Sequence, residues 1–177
     1  MISPDWIRDL LQLKKTPRAG WFRVGVDLPE SVAEHSFSMA LIAWRIAREA
    51  GGLDAERVLL MALLHDFSEA RLTDIPNPAK ELLPDGAFAE AEAGVIRDQW
   101  PDDEEAQALL AEFLAGETEE AKLVAAVDHL ELVFQAAAYR EAGHPMTERM
   151  LVRARRGPAA KHPLTRPYAE PLLSDAE

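Results

Sequence analysis

Residues 56–70 read ERVLLMALLHDFSEA, and this stretch decides the fold. The run is almost wholly apolar until it meets His65 and Asp66. No strand-like alternation persists long enough to compete with helical spacing. Asp54 offers a side-chain cap just upstream, so the spacing predicts one helix running through to Ala70. Consecutive residues on a helix point about 100° apart, so His65 and Asp66 cannot clamp an ion unaided. They can do so if it lies in a crevice against helices that supply further ligands.

Working outward, Ser31-Val32-Ala33-Glu34 has the form of a capping box and opens a second helix with His35 in its first turns. Val32, Phe37, Leu41 and Trp44 supply its apolar positions, and Gly51-Gly52 ends it. An earlier helix starts at Ser3 with Pro4 in the first turn and ends near Lys14. Beyond the deciding stretch, Pro76, Pro78 and Pro84 predict a loop over 71–84 with at most short helical turns. Further helices are expected at 85–100, 102–115 and 118–143, broken by Pro101 and Gly116, with a shorter one at 147–156. Pro158, Pro163, Pro167 and Pro171 predict an extended surface tail. The reading is all-α, with one domain over 1–156 and a Pro-rich tail over 157–177.

Composition narrows the chemistry. The 177 residues include no cysteine, so disulfides and thiolate metal sites are excluded and any metal needs imidazole and carboxylate. The opening MISPDWIRDL lacks the apolar core of a secretory signal, and no apolar run approaches a membrane span, so a cytoplasmic protein is expected. A net charge of −12 opposes nucleic-acid polymers as partners, whereas the basic island Lys14, Lys15, Arg18 and Arg23 suits one small anion.

Asp128 lies in LVAAVDHLELVF, residues 123–134, where an ionised carboxylate taken out of water costs several kcal/mol unless it is paired or coordinated. An ion pair or an exposed helix turn would satisfy it, and a lone apolar-face histidine is ordinarily a core residue. Four such residues together, His35, His65, Asp66 and Asp128, instead make a sensible set for Mn, Co, Zn or Fe. Glu69 is four residues after His65 and three after Asp66, so the helix brings it to the same side, where it suits a carboxylate handling a water proton. Its alternative is a solvated surface glutamate.

The order His, His-Asp, distant Asp resembles the HD superfamily of metal-dependent phosphohydrolases. PRAGW (17–21), PESVAEHS (29–36), LLHDFSE (63–69), TDIP (73–76) and VDHLELVFQAAAYREAG (127–143) together resemble the YfbR-like 5′-deoxynucleotidases, over about residues 13–143. The resemblance implies an orthogonal HD helical bundle, a homodimer, and removal of phosphate from deoxyribonucleoside 5′-monophosphates. It implies one divalent transition-metal ion on His35, His65, Asp66 and Asp128, with Arg18 orienting the phosphate and Glu69 beside the reactive water. Asp74, Ile75, Pro76 and Asn77 would form the nucleotide loop, with Asp74 also a candidate acid, and Trp21 would lie near the sugar. Where the family usually has Gly-Asp before the loop proline, this chain has Thr73-Asp74. The absence of histidine between Asp66 and Asp128 favours one ion over two. His129, His144 and His162 read as structural or surface residues. Two rivals stand beside this reading: hydrolysis of another phosphorylated metabolite, such as a triphosphate or alarmone, and a non-catalytic nucleotide or metal sensor.

Overall fold

The computed structural model describes residues 3–176, and these form helices and connecting turns without a strand. The expected all-α bundle is therefore observed. Its helices are α1 (Pro4–Leu13), α2 (Val32–Ala50), α3 (Ala55–Leu64), α4 (Glu69–Leu72), α5 (Asn77–Lys80), α6 (Ala87–Gln99), α7 (Glu104–Ala115), α8 (Glu119–Glu141), α9 (Glu148–Ala154), α10 (Pro158–Lys161) and α11 (Arg166–Ser174). A 3-10 turn over Ala19–Val24 precedes α2.

The helix starts follow from local chemistry. Ser3, Asp54, Asp103 and Thr118 each accept a backbone N–H with their side chains at the heads of α1, α3, α7 and α8. Ser31 and Glu34 complete the capping box of α2. Such caps are each worth about 1 kcal/mol.

The longest helix, α8, is the axle. Leu123, Val124, Val127, Leu130 and Val133 along it are buried, and α2, α3, α7, α9, α10 and α11 all pack against it. Burying each such side chain stabilises by roughly 1.5–3 kcal/mol. Along α2, Met39 and the small residues Ala40, Ala43 and Ala47 are buried in the same core, and the alanines let neighbouring helices approach closely. The inward stripe of α2 differs from the expected one: Val32 is buried, but Phe37 and Leu41 point outward and are exposed.

A second cluster fastens the site. Trp6 of α1 stacks on Phe67 at 5.3 Å between ring centroids, and Trp100 meets both rings. Phe67 is thus pinned one residue beyond Asp66.

Two expectations are corrected. The helix over 56–70 is broken: α3 stops at Leu64, and residues 65–68 form a tight turn in which Phe67 N–H donates to Leu64 O and Glu69 N–H to Asp66 O. These i→i+3 bonds wind the chain more tightly than an α-helix. The tail is not extended either. Pro158 occupies the first turn of α10 and Pro167 that of α11, where a missing N–H costs nothing. Ala159, Ala169, Leu173 and Ala176 are buried in the main core, and Arg155 donates to the carbonyls of Leu173 and Ala176.

Candidate metal centre

The cluster forms where α2, the turn after α3 and α8 meet. His35 enters from the first turn of α2, fully buried, and its Nε2 lies 3.2 Å from Asp128 Oδ1 and 3.8 Å from Asp66 Oδ2. His65 Nε2 lies 3.1 Å from Asp66 Oδ2. The tight turn explains how two consecutive residues reach one point. His65 Nδ1 pairs with Ala62 O at 2.8 Å, which holds the ring as the chain leaves the helix.

Both Nε2 atoms are buried and make no aligned hydrogen bond. Buried imidazole nitrogens are rarely left so. Two nitrogen lone pairs converging with carboxylates on one point are what a divalent transition metal takes, so the residues fit such an ion. His35, His65 and Asp66 can each offer a ligand atom within 4.8 Å of the others. Asp128 stands outside that tightest group, with its side chain 36% exposed against 16% for Asp66, so it borders the open side of the site.

Arg18 spans the two carboxylates, with Nη1 3.0 Å from Asp66 Oδ2 and Nη2 3.5 Å from Asp128 Oδ1. Burial alone would lower its pKa, but Asp66, Asp128, Asp74 and Glu69 outweigh that and hold it charged. Burial also opposes ionisation of Asp66, yet His65, Arg18 and His35 keep it well below the usual carboxylate range. Asp128 is similar: burial raises it, while the His35 contact and Arg18 bring it down to about 2. The His35 imidazole is pulled down by burial and pushed up, to about 10, by Asp128 and Glu131.

Glu69 is buried at the head of α4, and one of its carboxylate oxygens has no hydrogen-bond partner. Burial, then Asp66 and Asp74, pushes its carboxyl up to about 9. Glu69 reaches this place through the turn rather than through a continuous helix. Asp74 is half-buried, near enough to act on both Arg18 and Glu69. Ile75 and Pro76 are half-buried beside it, and Asn77 is exposed at the start of α5. Thr73 takes φ 63° and ψ 165°, a backbone that glycine favours. The loop backbone therefore keeps a glycine-like form without the glycine.

Trp21 does not face the open side. It is 2% exposed, packs edge-on against Tyr139 at 5.0 Å, and donates its indole N–H to Glu30 Oε1 at 2.9 Å. A ring so enclosed cannot offer a face to a sugar, so the expected sugar contact is corrected to a supporting one. Sequence reasoning did not single out Glu131 or Glu30. Glu131 Oε2 lies 2.7 Å from His35 Nδ1. Burial, with the Glu131 charge, pushes Glu30 up to about 7. Glu131 carries the same signal as Asp128, an acid inside LVAAVDHLELVF, three residues further along the helix.

This helical bundle, with paired imidazoles and carboxylates at its centre, defines a metal-dependent hydrolase of the HD type. A match to the HD domain family spans residues 10–156, and the chain belongs to that family. It is 33% identical over 140 residues to the 5′-deoxynucleotidase HDDC2 of Mus musculus, covering 77% of this chain and 69% of that one. The 5′-deoxynucleotidase hdd1 of Schizosaccharomyces pombe is 29% identical over 176 residues, 95% of this chain and 87% of that one. Among solved structures, a conserved hypothetical protein from Pyrococcus furiosus superposes with a TM-score of 0.79 at 31% identity, over 97% of this chain and 99% of that one.

Proposed function

We propose that the protein removes phosphate from deoxyribonucleoside 5′-monophosphates, using one divalent transition-metal ion, Mn, Co, Zn or Fe, held by His35, His65, Asp66 and Asp128. The observation that carries this is the pair of buried, unpartnered Nε2 atoms converging on Asp66 and Asp128. Relatives that are 5′-deoxynucleotidases support the substrate.

When bound, the cation supplies a Lewis acid that acidifies water and offsets charge on a phosphoryl oxygen. The chain's own residues do the rest. Arg18, held charged between two carboxylates, offers planar donors to the non-bridging oxygens of a phosphate. Glu69 takes the proton of the attacking water, which needs its carboxylate form. Charge neutralisation at Asp66 removes one of the causes that hold Glu69 protonated. Asp74 donates a proton to the leaving 5′ oxygen. Ile75, Pro76 and Asn77 border the nucleoside, while Trp21 braces the segment that carries Arg18.

We further propose a homodimer. Phe37 and Leu41, one helical turn apart, leave an apolar stripe exposed along α2. The net charge of −12 supports a small-molecule substrate over a nucleic-acid polymer.

The test is phosphate release from 5′-deoxy- and 5′-ribonucleoside monophosphates, 3′-monophosphates and triphosphates by metal-stripped protein resupplied with each metal. Selective release from the 5′-deoxymonophosphates, lost in Asp128→Ala, is the expected result. Release only from triphosphates, or none from any with metal bound, would overturn it.

A further inference from the structure

We infer that Glu131, backed by Glu30 and Trp21, is a positioning residue that fixes the orientation of the His35 ring and thereby tightens the cluster's hold on a divalent cation. The inference rests on the metal-centre reading above and extends it to side chains behind the ligands.

The two nitrogens of His35 have opposite surroundings. Nδ1 lies 2.7 Å from Glu131 Oε2, whereas Nε2 faces Asp128 and Asp66 without an aligned bond. A neutral imidazole has one N–H and one lone pair. In the neutral ring, donation of Nδ1–H to Glu131 leaves the Nε2 lone pair facing two carboxylates, where a divalent cation takes the place of the proton the ring otherwise carries there. A carboxylate behind a ligating imidazole fixes its tautomer and raises its basicity.

Glu131 suits the task by its position. It lies three residues beyond Asp128 on α8, so one rigid helix supplies both a ligand carboxylate and the carboxylate that orients a ligand on α2. It is only 5% exposed, between Leu130 and Val133 of the core, where an unpaired carboxylate would be costly. His65, by contrast, is oriented by the neutral carbonyl of Ala62. The two imidazoles are therefore not equivalent, and His35 is the more strongly polarised.

Glu30 extends the support. Its carboxylate, Glu131 and His35 Nδ1 can all lie within 4.8 Å of one another. Trp21 Nε1–H donates to the Glu30 carboxylate, the Glu30 backbone N–H donates to Tyr139 OH at 2.7 Å, and the Glu30 carbonyl accepts from Arg18 N–H at 3.0 Å. The backing of His35 is thereby joined to the segment that carries Arg18. A second cation among Glu30, His35 and Glu131 is disfavoured, because 2.7 Å is a direct hydrogen bond that an ion would have to break.

The experiment is titration of Co(II) into the metal-stripped full chain, with the ring nitrogens of His35 followed by 15N NMR. Glu131→Ala should bind Co(II) about 10–100-fold more weakly, and the isosteric Glu131→Gln by a smaller factor, with a changed His35 tautomer signature in both. Glu131→Gln carries the test alone if Glu131→Ala does not fold by circular dichroism. Folded variants with affinity within about twofold of the parent and an unchanged His35 signature would overturn the inference. Failure of the parent chain itself to bind Co(II) would instead bring down the metal-centre reading on which it stands.

Discussion

His35 in the cation-free protein keeps a proton to about pH 10, so a metal must displace it. Cation affinity should therefore strengthen with pH, by about tenfold per unit for each proton displaced, and level off above the His35 pKa. Calorimetry in buffers of different ionisation enthalpy would register the released proton. The linkage has a second face: because the folded pKa is raised above the unfolded value, His35 stabilises the metal-free fold fully below about pH 6.5. That contribution is lost as pH rises through about 10. Glu69 has the same sign, raised from 4.5 to about 9, so Glu69→Gln should raise the Tm of metal-free protein at pH 8 while lowering kcat by about 10²–10⁴-fold. A variant that kept full activity would remove Glu69 from proton transfer. Asp74→Asn should slow natural nucleotides far more than an ester with a good leaving group; equal slowing would reduce Asp74 to positioning. Residue types and order made His35, His65, Asp66 and Asp128 legible, because buried charge demands compensation. Glu131 carried that same signal and was passed over, since its partner is an imidazole 96 positions away in the chain. The burial of Trp21 was illegible because it depends on Glu30 and Tyr139 closing around the ring.

At the scale of elements, caps are local, so the starts of α1, α2, α3, α7 and α8 could be read from single side chains. The break after Leu64 could not. It depends on His65 pairing with Ala62 O and on Phe67 being drawn between Trp6 and Trp100, contacts that periodicity does not encode. Pattern alone likewise favoured Phe37 and Leu41 for burial, whereas the close approach of α2 to its neighbours selected small residues. Thr73 is the strained joint between α4 and the loop that leads into α5. A β-branched residue at φ 63° is strained by roughly 1–3 kcal/mol, so Thr73→Gly should raise unfolding stability by about 1 kcal/mol after glycine's entropic cost. Urea denaturation measures this, and a loss of stability would show that the Thr73 side chain makes good the strain. At Gly157 the opposite holds. A Cβ there would collide with the His129 ring, so Gly157→Ala should destabilise by about 1–3 kcal/mol through overpacking.

The whole molecule is one helical bundle built around α8, and its last segment belongs to the same core. Four prolines over 157–177 suggest an extended tail, yet Pro158 and Pro167 sit in the first turns of α10 and α11, Pro163 in the turn between them, and Pro171 is carried inside α11. Removal of residues 157–177 would uncover core around Ala159, Ala169 and Leu173 and strip Arg155 of its carbonyl partners, and should yield an aggregating or unfolded protein. A truncated chain with the parent's melting curve would show the segment to be dispensable. The fold class was legible throughout, since helical spacing recurs along the chain and α8 carries a long row of core residues. The proposed role of this bundle is to hold one catalytic cation at the point where His35, His65, Asp66 and Asp128 converge. Its most direct test is titration of Co(II) or Mn(II) into metal-stripped protein while following phosphate release from a deoxyribonucleoside 5′-monophosphate. Activity should rise with the first equivalent, reach its plateau there, and be absent in His65→Ala at every metal concentration. Full activity in the presence of chelator, or in His65→Ala, would contradict the account.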